Sequence, residues 1–186
     1  MTITVAPREV VDQVHRASRS HGCDADLADR LAAEIAFCEV HHGGGLAAWV
    51  TLADADLLEE AAHASFHLAA AEVVAHSSGR TTVGFDPPPP LAAIARSLRD
   101  LERRGVRYTP PVGTIADLTG TDLVPSLDLV VDEPAPVPHD RTEDEPTTAY
   151  HDGLPVDRSL WERLAAAAAG FPVSEAVLDA ALKPAP

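Results

Sequence analysis

The chain has few of the residues that staple or anchor a fold from outside its core. Of its 186 residues only Cys23 and Cys38 are cysteines. Two thiols without CxxC spacing make neither a disulfide framework nor a zinc ribbon. Aromatics are 4% of the chain, so the core has to be built mainly from Leu, Val and Ala. No apolar run reaches the roughly 18 residues of a membrane span. Residues 1–20 carry alternating charge where a leader would be apolar, so the expected compartment is the cytoplasm. Positive charge is scarce, with 14 Lys and Arg against 29 Asp and Glu and a net charge of −15. A field of that sign repels phosphate backbones and anionic headgroups, which argues against nucleic-acid and membrane partners. Lys183 is the single lysine, and the arginine and alanine excess reads as the codon usage of a GC-rich genome. Also missing are the GxSxG elbow, the GxxxxGK[ST] phosphate loop, the HExxH helix and the GxGxxG turn.

What remains is enough for one globular domain over 1–186. Apolar residues are 46% of the chain, and a domain of this size buries roughly 70% of the surface of its unfolded chain. Pro7 suits the first turn of a helix, and Val10, Val11, Val14 and Ala17 recur at helical spacing up to Ser20-His21-Gly22. Asp24 is placed to cap a second helix whose Leu27, Leu31, Ile35 and Cys38 form one apolar stripe. Gly43-Gly44-Gly45 ends it, since each glycine costs a helix about 1 kcal/mol. Residues 1–45 therefore read as a helical hairpin.

Leu46 to Leu52 is a short apolar segment without a clear period. Asp56-Leu57-Leu58-Glu59 has the form of a capping box opening a third helix to about His76. Thr81 to Phe85 alternates like a strand, and Pro87 to Pro90 form a stiff connector. Leu91, Ile94, Ala95, Leu98 and Leu101 predict one helix from Leu91 to Arg104, closed by Gly105. Val106 to Tyr108 and Ser126 to Asp132 read as strands. Residues 132–150 form an acidic, Pro- and Thr-rich loop or linker. Asp157 is placed to cap a helix from Leu160 to Ala169, and Ser174 another through Leu182. The expected fold is α+β and helix-rich, with the N-terminal hairpin packed on a small mixed sheet.

Three groups of residues carry candidate chemistry. Glu59, His63 and His67 repeat every four residues, and two histidines with a carboxylate are the donor types of a divalent metal site. The same row opposes the apolar Leu57, Ala61 and Leu68, which also fits a solvated polar face. His41-His42-Gly43-Gly44 joins groups that titrate near neutral pH to backbone a ligand can approach closely, so His42, with His41, is a candidate acid or base. The plainer reading is a helix end, where histidine suits the dipole. Arg96, Arg99 and Arg103 share one helix side, fitting either a grip on a carboxylate or phosphate or a solvated face paired with acidic residues.

Two resemblances add to this. Val5 with Glu9-Val10, then Gly22, then Leu27-Ala28 through Ala36 resemble the opening of the malate/L-lactate dehydrogenase-type NAD(P)-dependent reductases. That resemblance implies a nicotinamide cofactor and a catalytic histidine in a Ser-His-Gly motif. His42-Gly43 reaches the motif with a short gap, whereas the ungapped register places Gly45-Leu46-Ala47 there. The chain is also similar to a bacterial family of unknown function through this opening and through Trp161-Glu162-Arg163-Leu164 and Phe171-Pro172-Val173-Ser174-Glu175. Where that family ends in a glycine-rich acidic tail, this chain has Ala180-Ala181-Leu182-Lys183. Two functions follow as expectations. One is a small enzyme or enzyme subunit acting on an anionic metabolite through histidine acid–base or metal chemistry. The other is a non-catalytic accessory protein that binds a protein partner; a homo-oligomer is compatible with either.

Overall fold

Six helices and two short sheets carry most of the described residues in a computed structural model that describes residues 1–111, 113–131 and 149–171. Strand β1 is Thr2–Val5, followed by α1, Pro7–Ser20, and α2, Ala25–His41. Next come α3, Gly45–Asp54, and α4, Leu58–Ser78. Strand β2, Arg80–Gly84, leads through a 3-10 turn, Leu91–Ala93, into α5, Ala95–Arg103, and β3, Val106–Thr109. The last elements are β4, Ser126–Val131, β5, Leu154–Asp157, and α6, Arg158–Ala169.

The α+β class holds, but the sheets differ from the expected one. Both are antiparallel: β1 pairs with β5, and β4 lies between β2 and β3. The hairpin of α1 and α2 packs against α6, α3, α4 and α5, while α4 and α5 cover the three-stranded sheet. The physical reason is the composition of α2. Ala28, Leu31, Ala32, Ile35, Ala36 and Cys38 are all buried, so α2 is covered on most of its circumference. A helix of this kind belongs among other helices.

Local signals explain most boundaries. Pro7 opens α1, and Glu9 reaches back to accept the Ala6 amide at 2.6 Å. Gly79, at φ +83°, closes α4 in the left-handed conformation that glycine tolerates. At α6 the Asp157 carboxylate accepts the Ser159 and Leu160 amides, as the sequence predicts. Three boundaries correct the sequence reading. Residues 56–59 form no capping box: Leu57 is the N-cap of α4, and Asp56 takes φ +58° in a tight turn that bonds the Leu57 amide to the Leu52 carbonyl. The segment Leu46 to Leu52 belongs to a helix, α3, which begins at Gly45 inside the glycine run. The helix expected from Leu91 breaks at Ile94, φ −137°, because the buried 3-10 turn before it inserts into the core. Of the loop expected over 132–150, residues 132–148 lie outside the described residues, as does the last helix expected from Ser174, while residues 149 and 150 are helical.

Candidate functional site

Helix α2 holds the starts of two other helices with its own carboxylates. Glu39 accepts the Leu46 amide at 2.8 Å in the first turn of α3. Glu34 accepts the Arg96 amide at 2.7 Å and the Ser97 amide at 3.1 Å, both in the first turn of α5, and a short hydrogen bond from the Ser97 hydroxyl. First-turn amides have no partner inside their own helix, and the dipole there favours negative charge. Glu34 is 3% exposed. Burial pushes its carboxyl up to about 7, against the opposing pull of the Ser97 and Arg96 donors.

Beside Glu34 a cleft of about 460 Å³ opens between α2 and α5. Its walls are Asp26, Asp29, Arg30, Ala33 and Glu34 from α2, with Arg96, Ser97 and Asp100 from α5. Asp29 is held from the other side by His15 Nδ1 at 2.5 Å. Arg30 extends toward α4, where its guanidinium lies 4.0 Å from the Phe66 ring centroid. Glu34 thus meets the cleft in company with two guanidinium groups and three other carboxylates.

On α2 the lining of the cleft runs from Asp26 to Glu34, and His41 lies two turns further along the helix, outside that lining. His41 stacks on Phe37 with ring centroids 4.1 Å apart. Burial, then the charges of His42, Arg99 and Arg103, lower its pKa. The structure therefore brings His41 and two of the three named arginines, Arg99 and Arg103, into one electrostatic neighbourhood, with Arg96 further along the same helix at the cleft. His42 is half-buried and also lowered, by burial against the opposing charge of Glu102. Glu102 is shared: Arg99 Nη1 donates to it at 3.1 Å and the Tyr108 hydroxyl at 2.8 Å. Arg103 pairs with Asp100 at 3.8 Å.

Gly43 and Gly44 have a structural occupation. Both have positive φ, +70° and +73°, and Gly44 caps α3. The Gly43 carbonyl accepts the Gly120 amide at 2.9 Å, and a Cβ on Gly120 would sit 2.6 Å from the Gly44 carbonyl carbon. The backbone these glycines offer is thus already taken by the 115–122 segment.

The Glu59, His63 and His67 row lies on the exposed face of α4. His63 Nε2 stands 4.0 Å from Glu59 Oε1, with both side chains at least half exposed. Eight residues of helix separate Glu59 from His67 by about 12 Å along the axis. Among the described residues no group of three or more His, Cys, Asp or Glu side chains is arranged to hold a metal. Cys38, the closing residue of the apolar stripe, is pushed up to about 12 by burial and by the nearby Glu39 and Glu34. It is a core thiol and not a nucleophile.

Sequence reasoning missed Glu34. The signal was present: one carboxylate stands inside the run Leu31-Ala32-Ala33-Glu34-Ile35-Ala36-Phe37-Cys38. A charged residue in such a run is rarely buried without partners. No protein-family model matches the chain, and no curated protein or solved structure matches it either.

Proposed function

We propose that the protein is a small acid–base enzyme, or the subunit of one, acting on a small anionic metabolite in the groove between α2 and α5. The observation that carries this reading is Glu34, a buried carboxyl with a pKa of about 7 on the wall of a cleft it shares with Arg96. A proton-exchanging group works best with a pKa near the operating pH, and such a shift inside a cleft is how functional carboxylates are commonly made. Its neighbours fill three of the roughly four lone-pair positions of a carboxylate, which leaves one for a transferred proton. The half-buried Ser97 hydroxyl, which bonds the carboxyl and lines the cleft beside it, offers a path for that proton.

His41 complements this arrangement. Its lowered pKa keeps the ring neutral near pH 7, where Glu34 is partly protonated. Two groups shifted in opposite directions are the pattern of an acid and a base. Seven residues of α2 separate them by about 10 Å, so they serve the two ends of a metabolite and not one atom. Arg96 and Arg99 supply the charge that an anionic substrate needs inside an acidic chain.

A thermal-shift screen with small carboxylates and phosphates tests the reading. A binder at a hundredfold excess over its Kd stabilises the fold by about 3 kcal/mol, several degrees in Tm. The stabilisation is expected to disappear in Arg96→Ala. A wild-type Tm unmoved by every compound in both classes would remove the proposal.

A second reading, a non-catalytic accessory protein, has its own supporting observation. Helix α4 exposes Phe66, Val73 and Val74 on one side. Apolar residues contiguous on a surface mark interaction sites more often than chance exposure.

A further inference from the structure

Helix α4 has one buried apolar side and a second side whose middle exposes apolar residues. One carries Leu58, Ala61, Ala62, Ala64 and Leu68 and is buried against the rest of the fold. The other runs through Glu59, His63, Phe66, Ala70, Val73 and Ser77, all exposed, at alternating steps of four and three residues. That alternation is the spacing of a helix seam that meets another helix. Val73 is 70% exposed, Val74 50% and Phe66 41%, with one face of the Phe66 ring covered by Arg30. The small Ala70 occupies the middle of the row, with Ala69 beside it, where two helix axes approach most closely.

The charge on this face points to what covers it. The chain as a whole carries −15, so two copies repel each other over most of their surface. From Ala61 to Ser78 there is a single carboxylate, Glu72. It is 12% exposed and engaged by Arg104, through Nε at 2.5 Å and Nη2 at 2.9 Å. Two copies can therefore approach along α4 without like-charge repulsion. The cations beside this stretch, Arg30 over Phe66 and Arg104 on Glu72, are already engaged by the chain's own groups. A parallel pairing would set Glu59 and Glu60 of one copy against the same residues of the other. An antiparallel pairing sets them against the Ser77 to Arg80 end, which has no carboxylate.

We propose that α4 is the interface of a two-fold homodimer in which the helices of two copies pack antiparallel, centred between Ala69 and Ala70. The register places Phe66 of each copy against Val73 of the other, and the same patch serves both, as a two-fold axis requires. One helix pair is at the small end of specific interfaces, so the dimer is concentration-dependent. The inference stands on α4 alone and is independent of the groove between α2 and α5.

Sedimentation equilibrium on the full chain, from micromolar to millimolar, tests it together with two cysteine variants. The mass is expected to rise from 19.6 kDa toward twice that value. Val73→Asp, at an exposed position that leaves the circular dichroism spectrum unchanged, weakens the association roughly tenfold or more, about 1.4 kcal/mol. Under mild oxidation Ala70→Cys cross-links, because the two copies of residue 70 lie beside the axis. Val73→Cys does not, because its two copies are about 10 Å apart along the helices. The native thiols do not compete, since Cys23 and Cys38 are buried. A chain that stays monomeric at every concentration overturns the proposal, and so does association that Val73→Asp leaves untouched. Cross-linking through residue 73 in place of residue 70 overturns the antiparallel register.

Discussion

Glu34 links folding to pH through one proton. Its folded pKa of about 7 lies above its ordinary value of 4.5, so the folded state holds the proton more tightly than the unfolded chain does. The stability tied to it is fully present below pH 4.5 and is lost as the pH rises through 7. The difference corresponds to about 3 kcal/mol in all. Denaturation at a series of pH values should show stability falling across that window, and Glu34→Gln, which keeps the shape and cannot ionise, should flatten the fall. Glu34→Ala should cost about 1–3 kcal/mol at low pH as well, because the Arg96 and Ser97 amides lose their partner. His41 and His42 act in the opposite direction. Their lowered pKa values mean that their share of stability is present above the ordinary histidine range and is lost on acidification. At this scale the sequence singles out His41 and the arginines by residue type, and the structure sets His41 near Arg99 and Arg103. The sequence was not legible for Glu34, whose importance comes from burial by residues of other helices.

Among the elements, the glycine run shows how a chemical reading and a packing reading compete. A Cβ on Gly45 would sit 2.5 Å from the Ile35 carbonyl, and one on Gly120 would meet the Gly44 backbone at 2.6 Å. Gly45→Ala and Gly120→Ala should therefore each destabilise the fold by about 1–3 kcal/mol, the usual result of forcing a methyl into a close-packed joint. Urea titration of each variant checks this. At Gly22 a Cβ would meet nothing within 4 Å, so only the φ of +94° opposes Gly22→Ala and the loss should be smaller. Helix α1, the apolar stripe of α2 and the strands β2 and β4 were readable because their periodicities are strong and local. The start of α4 was not, because Asp56 is held in a left-handed turn by the joint with α3 and does not cap. Strands β1 and β5 were missed for a related reason. Each has four residues, and their pairing joins distant parts of the chain, a relation no local pattern records.

In the whole molecule, α2 is the organising element. It is buried among α1, α3, α4 and α5, and the same helix lines the cleft with Glu34 and three further ionisable groups. Leu31→Ala, at a fully buried position, should cost about 2–5 kcal/mol and should weaken ligand binding in the groove as a consequence. The α+β class and the helical hairpin were legible from composition and period. The convergence of α2 with α5 was not, since 62 residues separate Glu34 from Arg96 in the chain. Amide chemical-shift mapping of the labelled protein against small carboxylates and phosphates is the most direct test of the groove as the functional site. The expected result is a saturable set of shifts confined to Glu34, Arg96, Ser97, Asp100 and their neighbours, shrinking in Arg96→Ala. Shifts that map elsewhere, or none from either class of anion, would contradict it.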